Sequence, residues 1–178
     1  MQRIRFDPLE GPLQLPPVLQ GLVFSEATAG QQYYVVQFGR RFEDGFETQV
    51  RAAGAELLEY LPEATFLSRI PPAQVGRVRQ VPVVRWVGPY QPAFRLSENL
   101  DPFLQSEQEV AIQLRVFASG DPQQVAATAA RAGAAVLFLS EPNPDRGGYV
   151  RLKLQGRLIP TVAAIDGVAW LEKYAERR

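Results

Sequence analysis

Val84-Arg85-Trp86-Val87-Gly88-Pro89-Tyr90 returns later in the chain as Val168-Ala169-Trp170-Leu171-Glu172-Lys173-Tyr174. These two strings hold the only two tryptophans of the 178 residues. Working back from each uncovers the same succession of patterns. Both repeats open on an alternating apolar strand, Tyr34-Val35-Val36-Gln37-Phe38 and Ile112-Gln113-Leu114-Arg115-Val116. Both continue into an alanine-rich helix closed by glycine, Arg51-Ala52-Ala53-Gly54-Ala55 and Ala130-Arg131-Ala132-Gly133-Ala134. A period of roughly 80 residues exceeds any solenoid unit and matches a small domain near the lower limit of self-sufficient cores. The chain therefore reads as two related domains in tandem. A Pro/Gly-rich arm covers 1–30, a first domain 31–95, an acidic linker 96–107 and a second domain 108–178.

In the first repeat the periodicity predicts a strand over 33–38 and a helix over about 43–53, with Phe42, Phe46, Val50 and Ala53 on one face. A strand from Ala55 to Tyr60, a tight turn at Leu61-Pro62-Glu63-Ala64 and a strand from Thr65 to Ile70 follow. Pro71-Pro72 opens a second helix, where a missing N–H is harmless; it turns Val75 and Val78 inward, and a strand runs from Val83 to Val87. The second repeat takes the same course. Its strands lie at about 110–117, 134–139, 149–154 and 168–171, with helices from Asp121-Pro122 to Ala132 and around Leu158, Val162 and Ile165. The order βαββαβ predicts an α+β protein of two ferredoxin-like domains. Each is a four-stranded antiparallel sheet with two helices on one face and the other face open. Trp86 and Trp170 read as core anchors. In the arm, Leu13, Leu15, Val18 and Leu19 are candidates for packing, and Leu100, Phe103 and Leu104 predict a linker that lies on a surface.

The chain has no cysteine and no histidine. Disulfides, thiolate zinc sites, cysteine nucleophiles and a Ser-His-Asp triad are therefore excluded, and no enzymatic activity, cofactor or metal is expected. Formal net charge is zero, with about +2 on each repeat, −1 on the arm and −3 on the linker. This is not the electrostatic footprint of a nucleic-acid binder. Arg146-Gly147-Gly148-Tyr149-Val150-Arg151-Leu152 lacks the rings of the RNA-binding signature of this fold at Gly148 and Val150. No apolar run is long enough to span a membrane, so neither nucleic acid nor membrane is an expected partner. Glu56 and Glu59, three apart on a strand, are expected on opposite faces and not as an acid/base pair.

The open sheet face of the second repeat is the candidate partner surface. Strand alternation places Gln113, Arg115, Arg151 and Lys153 on it, and the terminal stretch Tyr174, Glu176, Arg177 and Arg178 follows. The equivalent face of the first repeat carries Val35, Gln37, Thr65, Leu67 and Arg69, is more apolar and requires a cover.

Three stretches resemble the propeptide domains of subtilisin-like serine proteases: Tyr33-Tyr34-Val35-Val36-Gln37-Phe38, Ala52-Ala53-Gly54-Ala55-Glu56-Leu57-Leu58-Glu59-Tyr60-Leu61-Pro62 and Val81-Pro82-Val83-Val84-Arg85-Trp86-Val87-Gly88-Pro89-Tyr90-Gln91-Pro92. The likeness is best over 31–95, and Arg5-Phe6-Asp7-Pro8-Leu9 is similar to the opening segment of such precursors. The resemblance implies an intramolecular chaperone and temporary inhibitor of a catalytic domain, acting in cis or in trans. The open sheet face covers two protease helices and the C-terminal tail blocks the substrate cleft. It also implies export as part of a precursor, although Met1 to Asp7 does not lead into a signal-peptide core. The chain departs from the family in its tandem arrangement and in lacking the Asp, His and Ser signatures of the protease itself. A detached prodomain and a free-standing inhibitor both fit. The alternatives are an ACT-like ligand-binding regulatory module, for which Gly39-Arg40-Arg41 and Ser119-Gly120-Asp121 are poor glycine loops, and a structural protein-interaction module.

Overall fold

The structure is a computed structural model that describes residues 11, 13–24, 30–39, 45–145 and 147–175. The chain divides into two compact units, one of Met1–Val23 with Gln91–Arg178 and one of Phe24–Tyr90. The protein is α+β, and its strands form two four-stranded antiparallel sheets.

The first repeat contains β1 (Tyr33–Phe38), α1 (Phe46–Ala52), β2 (Glu56–Leu61), β3 (Thr65–Arg69), α2 (Val75–Arg79) and β4 (Val84–Pro89). The second contains β5 (Glu109–Val116), α3 (Pro122–Arg131), β6 (Ala135–Leu139), β7 (Gly148–Gln155), α4 (Ile159–Ala163) and β8 (Val168–Lys173). The strand orders are β2-β3-β1-β4 and β6-β7-β5-β8. α1 begins at Phe46, and Phe42 lies outside the described residues. The second helix of each repeat opens with a 3₁₀ turn, Pro72–Gln74 and Gly156–Leu158.

The first helices end alike because glycine follows each at the same place. Gly54 and Gly133 take φ of 105° and 104°. Their N–H groups donate to Arg51 O and Ala130 O, and the next N–H groups, of Ala55 and Ala134, donate to Val50 O and Ala129 O. This pair of bonds satisfies the last helical carbonyls and turns the chain into the next strand. At the other end of α3, the Asp121 carboxylate accepts from Gln123 N at 2.8 Å, as a helix N-cap should.

In the first repeat, Tyr34, Val36 and Phe38 of β1 pack with Val50 of α1, Ala53 at its C-terminal cap and Val78 of α2. Phe38 meets Phe46 and Phe66 edge to face, at 5.0 and 5.9 Å. In the second, Ile112, Leu114 and Val116 alternate inward with Val150, Leu152 and Leu154. A Cβ on Gly148 would stand 2.3 Å from Pro122 Cγ, so this buried face is the one beneath α3.

Two expectations fail for one reason. Trp86 and Trp170 are half-buried and not core anchors. Val84 pairs with Phe38 and Trp86 with Gln37, so Arg85 is an extra residue; likewise Val168 pairs with Val116 and Trp170 with Arg115, leaving Ala169 extra. Each bulge carries its tryptophan to the face away from the helices. The Trp86 indole lies over Gly88, where an added Cβ would come within 2.2 Å of its ring. A further bulge in β2 pairs Glu56 with Arg69 and Glu59 with Leu67. Since Arg69 and Leu67 share a face, Glu56 and Glu59 share it too, and do not point oppositely.

The residues read as a linker form a folded part of the unit that contains the second repeat. Leu96, Leu100 and Leu104 are buried there, with a 3₁₀ stretch over Glu98–Phe103. Leu96 bridges Leu171 in parallel, Ser97 N donates to Leu171 O at 2.9 Å, and Lys173 N donates to Asn99 Oδ1 at 3.1 Å. The outer edge of β8 is thereby paired. Arg95 is fully buried and donates to Ala163 O and Ile165 O, at 3.0 and 2.9 Å, beside the C-terminal end of α4. In the arm, Leu19 is buried, and Leu22 O accepts from Ala93 N at 3.0 Å.

Candidate functional site

Gln113, Arg115, Arg151 and Lys153 alternate along β5 and β7 with the buried residues beneath α3, so they occupy the face of the second sheet away from that helix. The register sets Gln113 opposite Arg151, and Arg151 Nε donates to Gln113 Oε1 at 3.0 Å. The Arg151 guanidinium carbon lies 4.3 Å from the Tyr174 ring centre and 4.9 Å from that of Phe138. Tyr174 is itself fixed beside β5, its N–H donating to Ala111 O at 2.9 Å. Three of the anticipated residues, Gln113, Arg151 and Tyr174, thus converge with Phe138 on one spot. Each ring contributes about 0.5–1 kcal/mol at an exposed site. Together they hold one planar cation with its Nη–H donors unclaimed by any described acceptor. Such a fork matches a carboxylate.

The other anticipated residues separate from this cluster. Arg115 stands across from Tyr149 on one side and Trp170 on the other. Lys153 pairs with Glu109 at 2.7 Å, with both side chains about half exposed, a contact worth little in water. Glu176, Arg177 and Arg178 lie outside the described residues.

On the first repeat the corresponding face differs. Val35, Gln37, Thr65 and Leu67 are all buried, at 3–5% exposure. Arg69 Nε donates to Gln32 Oε1 at 3.1 Å. The apolar face expected to need a cover therefore is not exposed.

Sequence reasoning missed the aromatic share of the second face. Phe138, Tyr149 and Trp170 all lie on it, and the bulges that place Phe138 and Trp170 there leave no mark in composition. The strand expected over 134–139 is present as β6, but its exposure was missed: Val136, Leu137, Phe138 and Leu139 are 38–49% exposed. The signal was the contrast of Ala135-Val136-Leu137-Phe138-Leu139 with Glu56-Leu57-Leu58-Glu59-Tyr60 at the same place in the other repeat.

Other concavities offer little chemistry. A groove of about 630 Å³ is lined by Leu13, Leu15, Gln20, Val23 and Gln91 among others, without a titratable side chain. A second, of about 450 Å³ between α1 and α2, has Arg77 as its single charged residue. Among the described residues no group of three His, Cys, Asp or Glu side chains is arranged to hold a metal ion, and no helix is long and apolar enough to cross a membrane.

A family model described as a domain of unknown function, DUF8729, matches residues 1–91. No curated protein matches the chain.

Proposed function

We propose a function from this premise: the chain belongs to the DUF8729 family, and acts as a prodomain of a subtilisin-like serine protease. It serves as intramolecular chaperone and temporary inhibitor, is not itself an enzyme, and is exported with its precursor. The stretches that resemble such propeptides fall almost entirely within the matched span. The strand orders β2-β3-β1-β4 and β6-β7-β5-β8 support reading each repeat as ferredoxin-like.

The observation that carries the reading is the helix-free face of the second sheet, where Gln113, Phe138 and Tyr174 hold the Arg151 guanidinium. A protease surface of paired helices brings carboxylates and helix C-terminal carbonyls to such a face. Arg151 and Arg115 receive them, while Trp170, Tyr149 and Phe138 supply apolar contact. Binding the folded catalytic domain and not its unfolded chain favours folding by mass action. Beyond Tyr174, which already runs beside β5, the chain enters the substrate cleft as an added strand.

The test is time-resolved hydrolysis of a peptide substrate by a cognate subtilisin-type protease mixed with the purified chain. Tight inhibition that fades as the chain is digested is expected. Full protease activity beside an intact, folded chain contradicts the proposal.

A further inference from the structure

We infer that Arg151 is the receptor for one acidic side chain of the partner, an aspartate or glutamate carboxylate seated end-on against its two Nη groups. Under the prodomain reading, on which the identity of that partner rests, carboxylates and helix C-terminal carbonyls both qualify. The surroundings of Arg151 select the first.

The guanidinium is held in place by the chain itself. Its Nε donates to Gln113 Oε1 at 3.0 Å, and its carbon lies over the Tyr174 and Phe138 rings, 4.3 and 4.9 Å from their centres. Tyr174 comes from the far side of β5, where its backbone N–H donates to Ala111 O. Its ring reaches Arg151 because Ala111, opposite Lys153 on the same face, presents only a methyl group to cross. The side-chain freedom that an exposed arginine loses on binding is therefore already spent. With Nε engaged, the side-on approach to Nε and one Nη is closed. The end-on pair of Nη groups remains, and its spacing matches the two oxygens of a carboxylate. A backbone carbonyl offers one oxygen and fills half of that fork.

Charge selects a monoanion. Phe138, Arg151, Gln113 and Glu172 stand in one row across β6, β7, β5 and β8, so the row holds one cation and one carboxylate of its own. Further along β7, Lys153 is already met by Glu109 at 2.7 Å. A phosphate, close to a dianion at neutral pH, would face Glu172 with Lys153 committed elsewhere. A single carboxylate matches the single guanidinium. Phe138 and Tyr149, 45% and 42% exposed on the same face, become covered by the partner and keep water from an ion pair that would otherwise be worth little. In the first repeat Leu67, buried at 3% exposure, holds the position of Arg151, so the receptor belongs to the second repeat alone.

The test follows the arginine Nε–Hε magnetic resonances of the isotope-labelled whole chain while sodium acetate replaces sodium chloride at constant ionic strength. Arg151 should shift saturably, and several-fold more than the exposed Arg131 of α3. Inorganic phosphate should bind it no more tightly than acetate does. Arg151→Lys, which keeps the charge and loses the fork, should weaken inhibition of the cognate protease at least about fivefold. The acetate titration uses the unaltered chain and stays decisive if the variant fails to fold. Saturation of Arg151 by acetate in a chain that leaves the protease fully active sinks the prodomain reading and supports the carboxylate site. An Arg151 that responds no more than Arg131 or prefers phosphate, or a lysine variant that inhibits as well as the unaltered chain, overturns the inference.

Discussion

β2 and β6 hold the same place in their sheets, follow the same glycine-ended helix, and carry a bulge at the same point, yet they face water differently. In β2, Glu56 and Glu59 stand on one face, Leu57 and Leu58 are half-buried, and Leu61 is buried. In β6 every residue is exposed, and the positions of Glu56 and Glu59 are held by Ala135 and Phe138. The neighbouring strands invert the charge: Leu67 lies opposite Glu59, whereas Arg151 lies opposite Phe138. One scaffold thus yields a guarded edge beside a buried face, and an apolar edge beside a cationic, aromatic face. The duplicated fold does not decide what a repeat presents to a partner. The three positions held by Glu56, Glu59 and Leu67 in one repeat and by Ala135, Phe138 and Arg151 in the other do.

The largest expected effect concerns the edge that is already closed. Arg95→Ala removes the donor to Ala163 O and Ile165 O, leaves Ile165 O with Val168 N alone and empties a fully buried site. It should cost the second repeat about 3 kcal/mol. Denaturant titration of a Trp86→Phe background, in which Trp170 is the sole indole, reads this directly; an unchanged midpoint would show that Arg95 does not fasten the unit. Next, Glu56→Ala with Glu59→Leu strips the guard from β2. Light scattering should then reveal new concentration-dependent association, and a chain that stays as before would mean that charge is not what separates the two edges. Tyr174→Ala deletes one of the two rings flanking Arg151, and should lower stability by about 0.5–1 kcal/mol. The smallest effect lies in the β2–β3 turn, where Glu63 and Ala64 take φ of 64° and 53°. Because a non-glycine residue there costs roughly 1 kcal/mol, Glu63→Gly should raise the melting temperature of the first repeat slightly, while a fall would point to an unrecognised role for the Glu63 side chain.

Much of this architecture was legible in the chain itself. Gly54 and Gly133 marked the helix ends because only glycine readily takes the φ that those ends require. The clean alternation of β7 exposed its two faces, and from it the grouping of Gln113 with Arg151. What escaped were the bulges. Counting alternate residues from Val84 and Val168 sends both tryptophans into the core, and counting from Glu56 parts it from Glu59. A single extra residue in each strand reverses these assignments without altering composition. The closure of the β8 edge by Leu96 and the burial of Arg95 were hidden for another reason. Both depend on contacts from a segment whose acidic, proline-containing sequence carries no strand period.

The proposed role places the protease on the second sheet's helix-free face. It is tested most directly by the inhibition constant of Arg115→Glu with Arg151→Glu against a cognate subtilisin-type protease, compared with the unaltered chain, both verified as folded. Inhibition at least tenfold weaker is expected, since two cations that receive acidic groups become carboxylates. Equal inhibition by the two proteins would contradict it.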